Sequence, residues 1–362
     1  MWHMGIGGAE RAVYQLIRKQ RSRGVEADVL IGTEAGLYGE RAREAGAAVF
    51  ELGARGAADL SRQWKIARVL RSYTIAHFHV LEPALMAAAA GSRDARLVYT
   101  HRGGIRSYGA TKRLRHAVVR TYLKRRFDAI TANTQQSARA AASLFGIDQT
   151  QVEVLYNGVD FSLLEPLRPA SDVSLELPSA LRHRVLIGTA ANLQGWKRVD
   201  LLIRAVARLV DGSVGCVILG DGPARVALED LTRALRLTEC VTFLGRKEHV
   251  GDYLQLLDIF VLPSGPEEAF GNAAVEAMGV GIPTVIFTDG GGLTEHVIDG
   301  ETGCTAGSVD ELARVLTELA SDRARRQELG MRGERYVRSS YSLDAMFDGY
   351  ARLYDRVLTL SG

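Results

Sequence analysis

Two glutamates eight residues apart, Glu268 and Glu276, flank a turn between a strand and a helix and have the chemistry to bind a ligand. The apolar run 256–262 precedes them and is typical of a buried parallel strand. The loop that follows is rich in small residues and leads into a helix, whose first backbone N–H groups favour an anion such as phosphate. An ionised carboxylate only accepts hydrogen bonds, and sugar hydroxyls can donate them. The pattern therefore predicts a ligand that carries both phosphate and sugar.

A second loop of small residues lies near the start of the chain. Gly5, Gly7 and Gly8 stand just before a helical pattern over residues 9–23. Glycine lets the backbone approach a ligand closely, and a helix N-terminus behind the loop favours an anion. The spacing is not the Gly-x-Gly-x-x-Gly fingerprint with an acidic residue about 20 positions later. The loop therefore does not indicate a dehydrogenase.

A histidine ends one of the predicted strands in the first half of the chain. His101 follows the apolar run 97–100. It therefore belongs at the carboxyl edge of a parallel sheet, which is where ligands bind in open α/β folds. The sequence Thr-His-Arg-Gly at a strand end favours a functional role for this histidine.

Apolar runs of strand length alternate with helical patterns along the chain, which favours parallel sheets covered by helices on both faces. In the first half the predicted strands are 25–31, 47–52, 75–80, 97–100, 129–131 and 152–156, and the predicted helices are 9–23, 60–72, 83–90, 112–126 and 136–144. A stretch with Pro, Ser and Asp at 165–183 is predicted to link two domains. In the second half the predicted strands are 185–190, 214–219, 241–244, 259–262 and 283–288, and the predicted helices are 198–210, 224–235, 250–256, 273–278, 309–319 and 344–359.

The composition is that of an ordinary globular protein, with 47% apolar and 24% charged residues. At 362 residues the chain suits two domains, and no run approaches the roughly 20 apolar residues that span a bilayer. The net charge of +3 is unevenly spread, because residues 101–127 hold nine Lys or Arg and no Asp or Glu. The predicted helix 112–126 is therefore basic and amphipathic. Three interpretations stay open: contact with an anionic membrane surface, a solvated face, or a complement to an acidic acceptor.

Taken together, these motifs resemble glycosyltransferase family 4. The resemblance covers nearly the whole chain and rests on the order and spacing of Gly5-Ile6-Gly7-Gly8-Ala9-Glu10-Arg11, His77-Phe78-His79, Tyr99-Thr100-His101-Arg102-Gly103, Asn157-Gly158-Val159-Asp160, Trp196-Lys197-Arg198, Gly220-Asp221-Gly222-Pro223, Phe243-Leu244-Gly245, and Glu268-Ala269-Phe270-Gly271 with Glu276-Ala277-Met278. It implies an α/β GT-B fold, in which two Rossmann-like doubly wound parallel-sheet domains face a central cleft. Residues 1–165 would form the acceptor-side domain and residues 184–343 the nucleotide-sugar-binding domain. Residues 344–362 would form a helix that crosses back to the first domain.

The resemblance also implies roles for individual residues. Catalytic roles would fall to His101 near the reacting carbon of the donor sugar, Lys197 on the donor diphosphate and Glu268 on the sugar hydroxyls. Glu276 would accept hydrogen bonds from the ribose. The whole implied donor site comprises Gly7, Gly8, Asn192, Lys197, Gly222, Arg246, Glu268, Ala269, Phe270, Gly271, Asn272 and Glu276.

The resemblance leaves two points open. Asn192 stands five residues before Lys197, where the family usually has an arginine. Stabilisation of the leaving group would then be weaker, or another cation such as Arg198 would supply it. His77 and His79 are as consistent with a structural role as with a place on the acceptor side.

The implied reaction breaks the bond between the anomeric carbon and phosphate. Negative charge develops on the departing nucleoside diphosphate, and Lys197, the loop amides and the helix dipole would stabilise it. No Asp-x-Asp occurs in the sequence. We therefore expect transfer without a metal ion or a cofactor, and the resemblance alone implies retention of configuration.

The expected partners are a nucleotide sugar and a saccharide or lipid-linked acceptor, and not nucleic acid. The expected enzyme transfers a hexosyl or N-acetylhexosaminyl group in cell-surface polysaccharide or glycoconjugate synthesis. It is expected in the cytoplasm, either free or peripheral on the inner face of the membrane. Two alternatives stay open: a sugar-nucleotide epimerase on the same fold, and a non-catalytic sugar-nucleotide binder, which Asn192 suggests.

The start of the chain is short for this fold. Only residues 1–4 precede Gly5, whereas a strand usually has about five or six residues. Either a stub replaces the first strand, or the given start lies downstream of the true one. The second interpretation is favoured, because a missing central strand would leave its neighbours unpaired.

Overall fold

In the computed structural model the chain divides into two compact units, each with its own parallel sheets and core. The structure describes residues 1–5, 7–54, 63–82, 85, 95–103, 124–209 and 213–359. The first unit comprises Met1–Gly158 and Leu343–Gly362, and the second comprises Val159–Ser342. Most of the predicted helices 83–90 and 112–126, and most of the predicted membrane-contact region 101–127, lie outside the described residues. No helix in the part of the chain that the structure describes is both long and apolar enough to cross a bilayer.

The strands are short, and every pairing between them is parallel. Those of the first unit are β1 (Val29–Ile31), β2 (Val49–Glu51), β3 (Ile75–Phe78), β4 (Arg96–His101), β5 (Ala129–Ala132) and β6 (Val152–Val154). Those of the second unit are β7 (Val185–Ala190), β8 (Val214–Leu219), β9 (Val241–Gly245), β10 (Ile259–Leu262), β11 (Thr284–Phe287) and β12 (Cys304–Ala306). β8, β10 and β11 are buried at every position, because helices cover both faces of their sheet.

The described α-helices are α1 (Gly8–Ser22), α2 (Gly36–Glu44), α3 (Gln63–Leu70), α4 (Gln135–Phe145), α5 (Ala170–Ser174), α6 (Val199–Val206), α7 (Arg225–Ala234), α8 (Gly251–Leu254), α9 (Asn272–Gly279), α10 (Val309–Ser321), α11 (Arg323–Ser340) and α12 (Leu343–Thr359). Several begin at a side chain that accepts a hydrogen bond from the first turn, as helix N-termini require. Thr134 caps α4, Ser308 caps α10 and Asp322 caps α11 in this way.

The strands of the first unit form two sheets rather than one continuous doubly wound sheet. One sheet pairs β1 with β2, and the other has the order β3-β4-β5-β6. An apolar cavity of about 260 Å³ is lined by residues of both sheets, among them Leu30 of β1 and Ala76 of β3. The carbonyls of Met1 and Trp2 accept hydrogen bonds from Gly32 and Thr33, which is the pairing of a strand stub. The part of the chain before Gly5 therefore begins a ladder with the end of β1 and does not fill the space between the sheets.

The N-terminal amino group is buried beside this cavity. It donates to the carbonyl of Leu30 at 2.9 Å, and burial lowers its pKa to about 5. A charged ammonium is costly in such an apolar place. The amino group is therefore neutral in the folded state at pH 7.

The last helix packs on the first unit. Phe347, Tyr350 and Leu353 of α12 belong to one buried cluster with Leu16 of α1 and Val98 of β4. Ion pairs from Lys19 to Asp344 at 2.9 Å and from Arg23 to Asp348 at 3.2 Å lie at the edge of this contact.

The second unit has one six-stranded sheet in the order β12-β11-β10-β7-β8-β9. From β7 the chain first builds outward through β8 and β9, then returns to place β10 on the other side of β7. The strand order therefore reverses between β7 and β10. In open α/β sheets this switch point opens a crevice at the carboxyl ends of the two strands.

The stretch 165–183, interpreted from composition as a linker, packs within the second unit. Asp252 of α8 accepts hydrogen bonds from the backbone N–H groups of Leu167 and Arg168 and from the Arg168 guanidinium. The same guanidinium bonds Glu176 and lies over the ring of Tyr253. The segment therefore has long-range partners that its turn-rich composition does not reveal.

Candidate active site

Two predicted catalytic residues meet at the switch point of the second unit. Lys197 lies in the loop after β7, and Glu268 lies in the loop after β10. The Lys197 Nζ lies 2.5 Å from Glu268 Oε2, and the two side chains are only 13% and 8% exposed. The same ammonium stands 4.3 Å from the ring centroid of Trp196. A cation and an acceptor of hydroxyl hydrogens are therefore held together, largely out of water, where a parallel sheet binds its ligand.

Arg198 fastens these two loops to each other. Its guanidinium donates to the carbonyls of Pro263 and Ser264, each at 2.8 Å, and pairs with Asp289 at 2.6 and 2.9 Å. This arginine lowers the pKa of Asp289 through its hydrogen bonds. Arg198 therefore has a structural role in the ligand-free protein, and its service as a substitute for the arginine missing at Asn192 stays a prediction.

The loop after β10 ends at the N-terminus of α9. Gly271 caps this helix with a φ of 79°, and a Cβ there would lie 2.5 Å from Leu293 Cδ1, so only glycine fits. The backbone N–H groups of Phe270, Gly271 and Ala273 donate to no other residue that the structure describes. They form the positive end of the helix that the sequence predicted as an anion site.

The remaining predicted residues of this loop divide between surface and core. Ala269 and Asn272 are partly exposed at the start of α9, where their backbones can meet a ligand. The side chain of Phe270 instead packs inward, with its centroid 4.3 Å from His296 and 5.6 Å from Tyr341. Only the backbone of Phe270 can therefore take part in binding.

Glu276 lies in the second turn of α9 and is 7% exposed. Glu268 before the helix is 6% exposed. A buried carboxylate needs hydrogen-bonding partners to stay charged. The structure thus keeps both predicted acids out of bulk water and next to the same helix N-terminus.

The loop after β8 approaches the loop after β7 very closely. A Cβ on Gly222 would lie 2.7 Å from the Leu193 carbonyl oxygen and 2.8 Å from Asn192 Oδ1. The Leu193 N–H donates to the carbonyl of Asp221 at 3.0 Å. Asn192 and Arg246 are exposed, and hydrogen bonds from the Gly222 N–H and the Arg225 side chain lower the pKa of Asp221, with a smaller contribution from the charge of Arg246. The predicted donor residues of this edge therefore surround one glycine turn.

Three predicted site residues lie in the first unit. His101 ends β4, and its Nδ1 lies 2.8 Å from the Tyr99 hydroxyl. Gly7 precedes α1 in an extended conformation, and Gly8 is the first residue of that helix. A Cβ on Gly7 would lie 2.2 Å from the Glu10 carboxylate, so an acid of the chain itself already occupies this helix N-terminus. That carboxylate disfavours a phosphate at Gly7 and Gly8.

His77 has a structural role. Its two ring nitrogens lie 2.7 Å from the Tyr354 hydroxyl and 2.6 Å from Thr100 Oγ1, so α12 and β4 engage both of them. Burial lowers the pKa of His77 and of His79 well below 6.5. Both rings are therefore neutral at pH 7.

Sequence reasoning did not single out Ser264. Its side chain is fully buried at the end of β10, and the Oγ has no hydrogen-bond partner among the described residues. Its place directly after an apolar run was the available signal. No three His, Cys, Asp or Glu side chains in the described ranges come together as a metal-binding group would need.

The parallel sheets, two in the first unit and one in the second, make this an α/β protein, and its fold is of the GT-B class. The crystal structure of Anabaena HepE in complex with UDP superposes with a TM-score of 0.83 at 22% identity, covering 97% of this chain and 96% of that one. The family model described as Glycosyl transferases group 1 matches residues 180–336, and the model described as Glycosyltransferase Family 4 matches residues 6–163. The chain belongs to glycosyltransferase family 4.

Curated relatives extend the comparison. The chain is 30% identical to a D-inositol 3-phosphate glycosyltransferase of Rhodococcus erythropolis over 63% of its own length and 53% of that protein. It thus spans about half the length of this relative. It is 29% identical to the lipopolysaccharide core biosynthesis glycosyltransferase LpsD of Rhizobium meliloti over 98% of this chain and 97% of that one.

Proposed function

We propose that this protein transfers a sugar from a nucleoside-diphosphate sugar to a saccharide or lipid-linked acceptor. The observation that carries the proposal is the buried pair of Lys197 and Glu268 at the switch point of the second unit. The ammonium can bind the donor diphosphate, and the carboxylate can accept hydrogen bonds from the donor sugar. Family membership and the HepE complex with UDP support a nucleotide as the common part of the donor.

The rest of the donor fits the groups around this pair. The N-terminus of α9 stabilises phosphate oxygens, and Glu276 accepts from the ribose hydroxyls. Arg246 and the glycine turn at Gly222 lie at the neighbouring strand end, where the base would bind. Asn192 contributes hydrogen bonds without charge. The cation assigned to the leaving group is therefore Lys197, with the helix dipole beside it.

The stereochemical part of the proposal is retention by front-face attack, without a metal ion or cofactor. The ion pair supports this route, because a carboxylate neutralised by an ammonium at 2.5 Å is a weak nucleophile. We further propose a hexosyl or N-acetylhexosaminyl donor, a product in polysaccharide or glycoconjugate synthesis, and a cytoplasmic enzyme that can bind the membrane surface.

Thermal-shift screening with UDP-, GDP- and ADP-sugars tests donor binding. A ligand at 100 times its dissociation constant adds about 2.7 kcal/mol to the free energy of unfolding. We expect one nucleotide series to raise Tm in the wild type and to raise it much less in Glu276→Ala. Absence of a response to every nucleotide sugar would remove the basis of the proposal.

The positive donor is then incubated with candidate acceptors. Release of nucleoside diphosphate that requires an acceptor supports transfer. Isomerisation of the donor identifies an epimerase, and binding without any turnover identifies a sugar-nucleotide binder.

A further inference from the structure

Arg102 is a cation held at the carboxyl edge of the first unit's four-stranded sheet. It follows His101, the last residue of β4. Its Nε donates to His79 Nδ1 at 3.3 Å, its Nη1 to Asn157 Oδ1, and its Nη2 to the Tyr350 hydroxyl at 3.1 Å. These partners come from the end of β3, the segment after β6, and α12. The guanidinium is therefore fixed in place by three separate elements.

All three partners are neutral. Among the described residues no carboxylate oxygen lies within 4.0 Å of an Arg102 side-chain nitrogen, so Arg102 has no ion pair there. Burial is the main cause that lowers the pKa of His79, and electrostatic repulsion from the neighbouring His77 ring, when it is protonated, and from Arg102 lowers it further. Tyr350 is fully buried and Asn157 is 4% exposed. The local network thus adds no negative charge, in contrast to Arg198, which pairs with Asp289.

A partly buried guanidinium without a carboxylate is costly unless another anion compensates it. Arginine has five N–H donors in a planar fork that matches phosphate and carboxylate. The three hydrogen bonds above use one donor on each nitrogen, which leaves two for a ligand in the part of the chain that the structure describes.

The surroundings of Arg102 also favour an anion with hydroxyl groups. The following residue, Gly103, accepts a hydrogen bond from Ser137 in the first turn of α4, so the N-terminus of that helix adjoins the Arg102 loop. Asn133, two residues before α4, is 2% exposed, and its Oδ1 has no partner among the described residues. A buried acceptor of this kind fits a hydroxyl donor.

We propose that Arg102 binds an anionic group of the acceptor, a phosphate or a carboxylate, at the carboxyl edge of the β3-β4-β5-β6 sheet. The acceptor class is then a saccharide or polyol that bears such a group, either free or as a lipid headgroup. The identification of the bound anion as part of the acceptor rests on the proposed glycosyltransferase function. Anion binding at Arg102 does not, because it can be measured without transfer.

Thermal shift in the presence of a saturating concentration of the nucleoside diphosphate found in the donor screen tests anion binding directly. The probes are inorganic phosphate and myo-inositol phosphate, with neutral myo-inositol as the reference. We expect the two anions to raise Tm in the wild type and in Arg96→Gln, and to have no effect in Arg102→Gln. Arg96 is the matched control, because it starts the same strand β4 and pairs with Asp128 at 2.9 Å.

A purely structural role for Arg102 gives a different result. Arg102→Gln would then lower the Tm of the ligand-free protein while the response to phosphate stayed as in the wild type, which would overturn the proposal. Arg102→Lys keeps the charge and is the variant to test if Arg102→Gln does not fold. We expect the lysine variant to bind phosphate about tenfold more weakly than the wild type, because the compact ammonium of lysine cannot make the paired hydrogen bonds of the planar guanidinium.

Two further experiments distinguish a lipid headgroup from a soluble anion and test anion binding separately from sugar transfer. The wild type and Arg102→Gln are cosedimented with vesicles of phosphatidylglycerol and phosphatidylcholine. If only the wild type binds the vesicles, and soluble phosphates do not change its Tm, the anion is a lipid headgroup. With transfer established, kcat/KM for a phosphorylated acceptor should fall about tenfold or more in Arg102→Gln relative to the neutral acceptor. Equal losses for both acceptors contradict the assignment. Normal phosphate binding at Arg102 without any transfer contradicts only the proposed function.

Discussion

Lys197 and Glu268 stand 71 positions apart in the chain, yet their charged groups meet at 2.5 Å. Taking both groups out of water is costly, and their mutual attraction offsets this cost only while both are present. The free protein thus keeps an ammonium in the place where a diphosphate would bind, at the switch point. Under the proposed function a donor replaces or extends this pair, so we expect the two side chains to respond to the ligand together.

Lys197→Ala should lower turnover more than donor affinity. The ammonium acts mainly on the charge that develops in the transition state, so we expect kcat to fall about 100-fold and KM for the donor to change much less. Lys19→Ala is the matched control, because Lys19 also pairs with a carboxylate and lies over an aromatic ring, Phe347. Steady-state kinetics of both variants provide the measurement. Wild-type kcat and KM in Lys197→Ala would show that the leaving group is stabilised elsewhere.

His296 makes the second unit sensitive to acid. It is fully buried between Phe270 and Tyr341, and burial lowers its pKa to about 3. The unfolded chain binds a proton at this histidine below about pH 6.5, whereas the folded chain does so only near pH 3. Protons are therefore bound preferentially by the unfolded state in this window, and stability falls as pH decreases through it. Thermal unfolding from pH 7 to 4 should show a smaller fall in His296→Gln, and an identical fall in both proteins would contradict this assignment.

The switch point is an assembly of three loops that begin at the ends of β7, β8 and β10. Arg198 ties the first to the third through the carbonyls of Pro263 and Ser264. The turn at Gly222 ties the second to the first through backbone contact too close for any side chain. Gly222 and Arg198 therefore set the positions of the loops, and the proposed contacts with the ligand fall to other residues of the same loops.

Gly222→Ala should therefore disturb the donor site without removing any functional group. Its Cβ would come within 2.8 Å of backbone and side-chain atoms of Leu193 and Asn192, so the loop after β7 must move. We expect donor affinity to fall about tenfold or more, since misplacing a site by an ångström costs this much or more. Gly195→Ala is the control in the same loop, because a Cβ there meets nothing within 4 Å. Equal donor affinities in the two variants would show that the close approach has no bearing on binding.

At the scale of the molecule, the two units differ in how completely their sheets are built. The second has six strands in continuous pairing, while the first is divided into a pair and a four-stranded sheet. The cavity between β1 and β3 is apolar, and the buried N-terminal amino group stands at its edge. Unpaired strand edges and a desolvated amine both lower stability.

An added strand should stabilise the first unit. We expect six β-branched residues placed before Met1 to pair with β1 and β3, fill the cavity and carry the terminal amino group to solvent. The free energy of unfolding should rise by about 2 kcal/mol or more, from apolar burial and ladder hydrogen bonds. A six-residue Gly-Ser extension is the control, and chemical denaturation measures both. Equal stability of the two extended proteins would show that the space between the sheets does not accept a strand.

The sequence alone predicted the strand and helix pattern of the second unit and brought the candidate site residues to the ends of its strands. The alternation of apolar runs and helical patterns predicted β7, β8 and β10 close to their observed bounds, and the Gly-rich and Glu-containing loops followed at their carboxyl ends. These signals are local, because burial on both sheet faces and helix N-terminal chemistry leave their pattern within a few residues.

Only the tertiary structure decided which of the charged residues are available. The sequence did not show that Asp289, 91 positions away, holds Arg198 in the ligand-free protein. Arg102 had no assigned role until three distant neutral partners surrounded it. The division of the first unit's strands into two sheets was likewise visible only in three dimensions. The physical reason is the same in all three cases. Ion pairs, networks of neutral side chains and strand neighbours depend on which distant segments pack together, and the periodicity within one segment does not specify this.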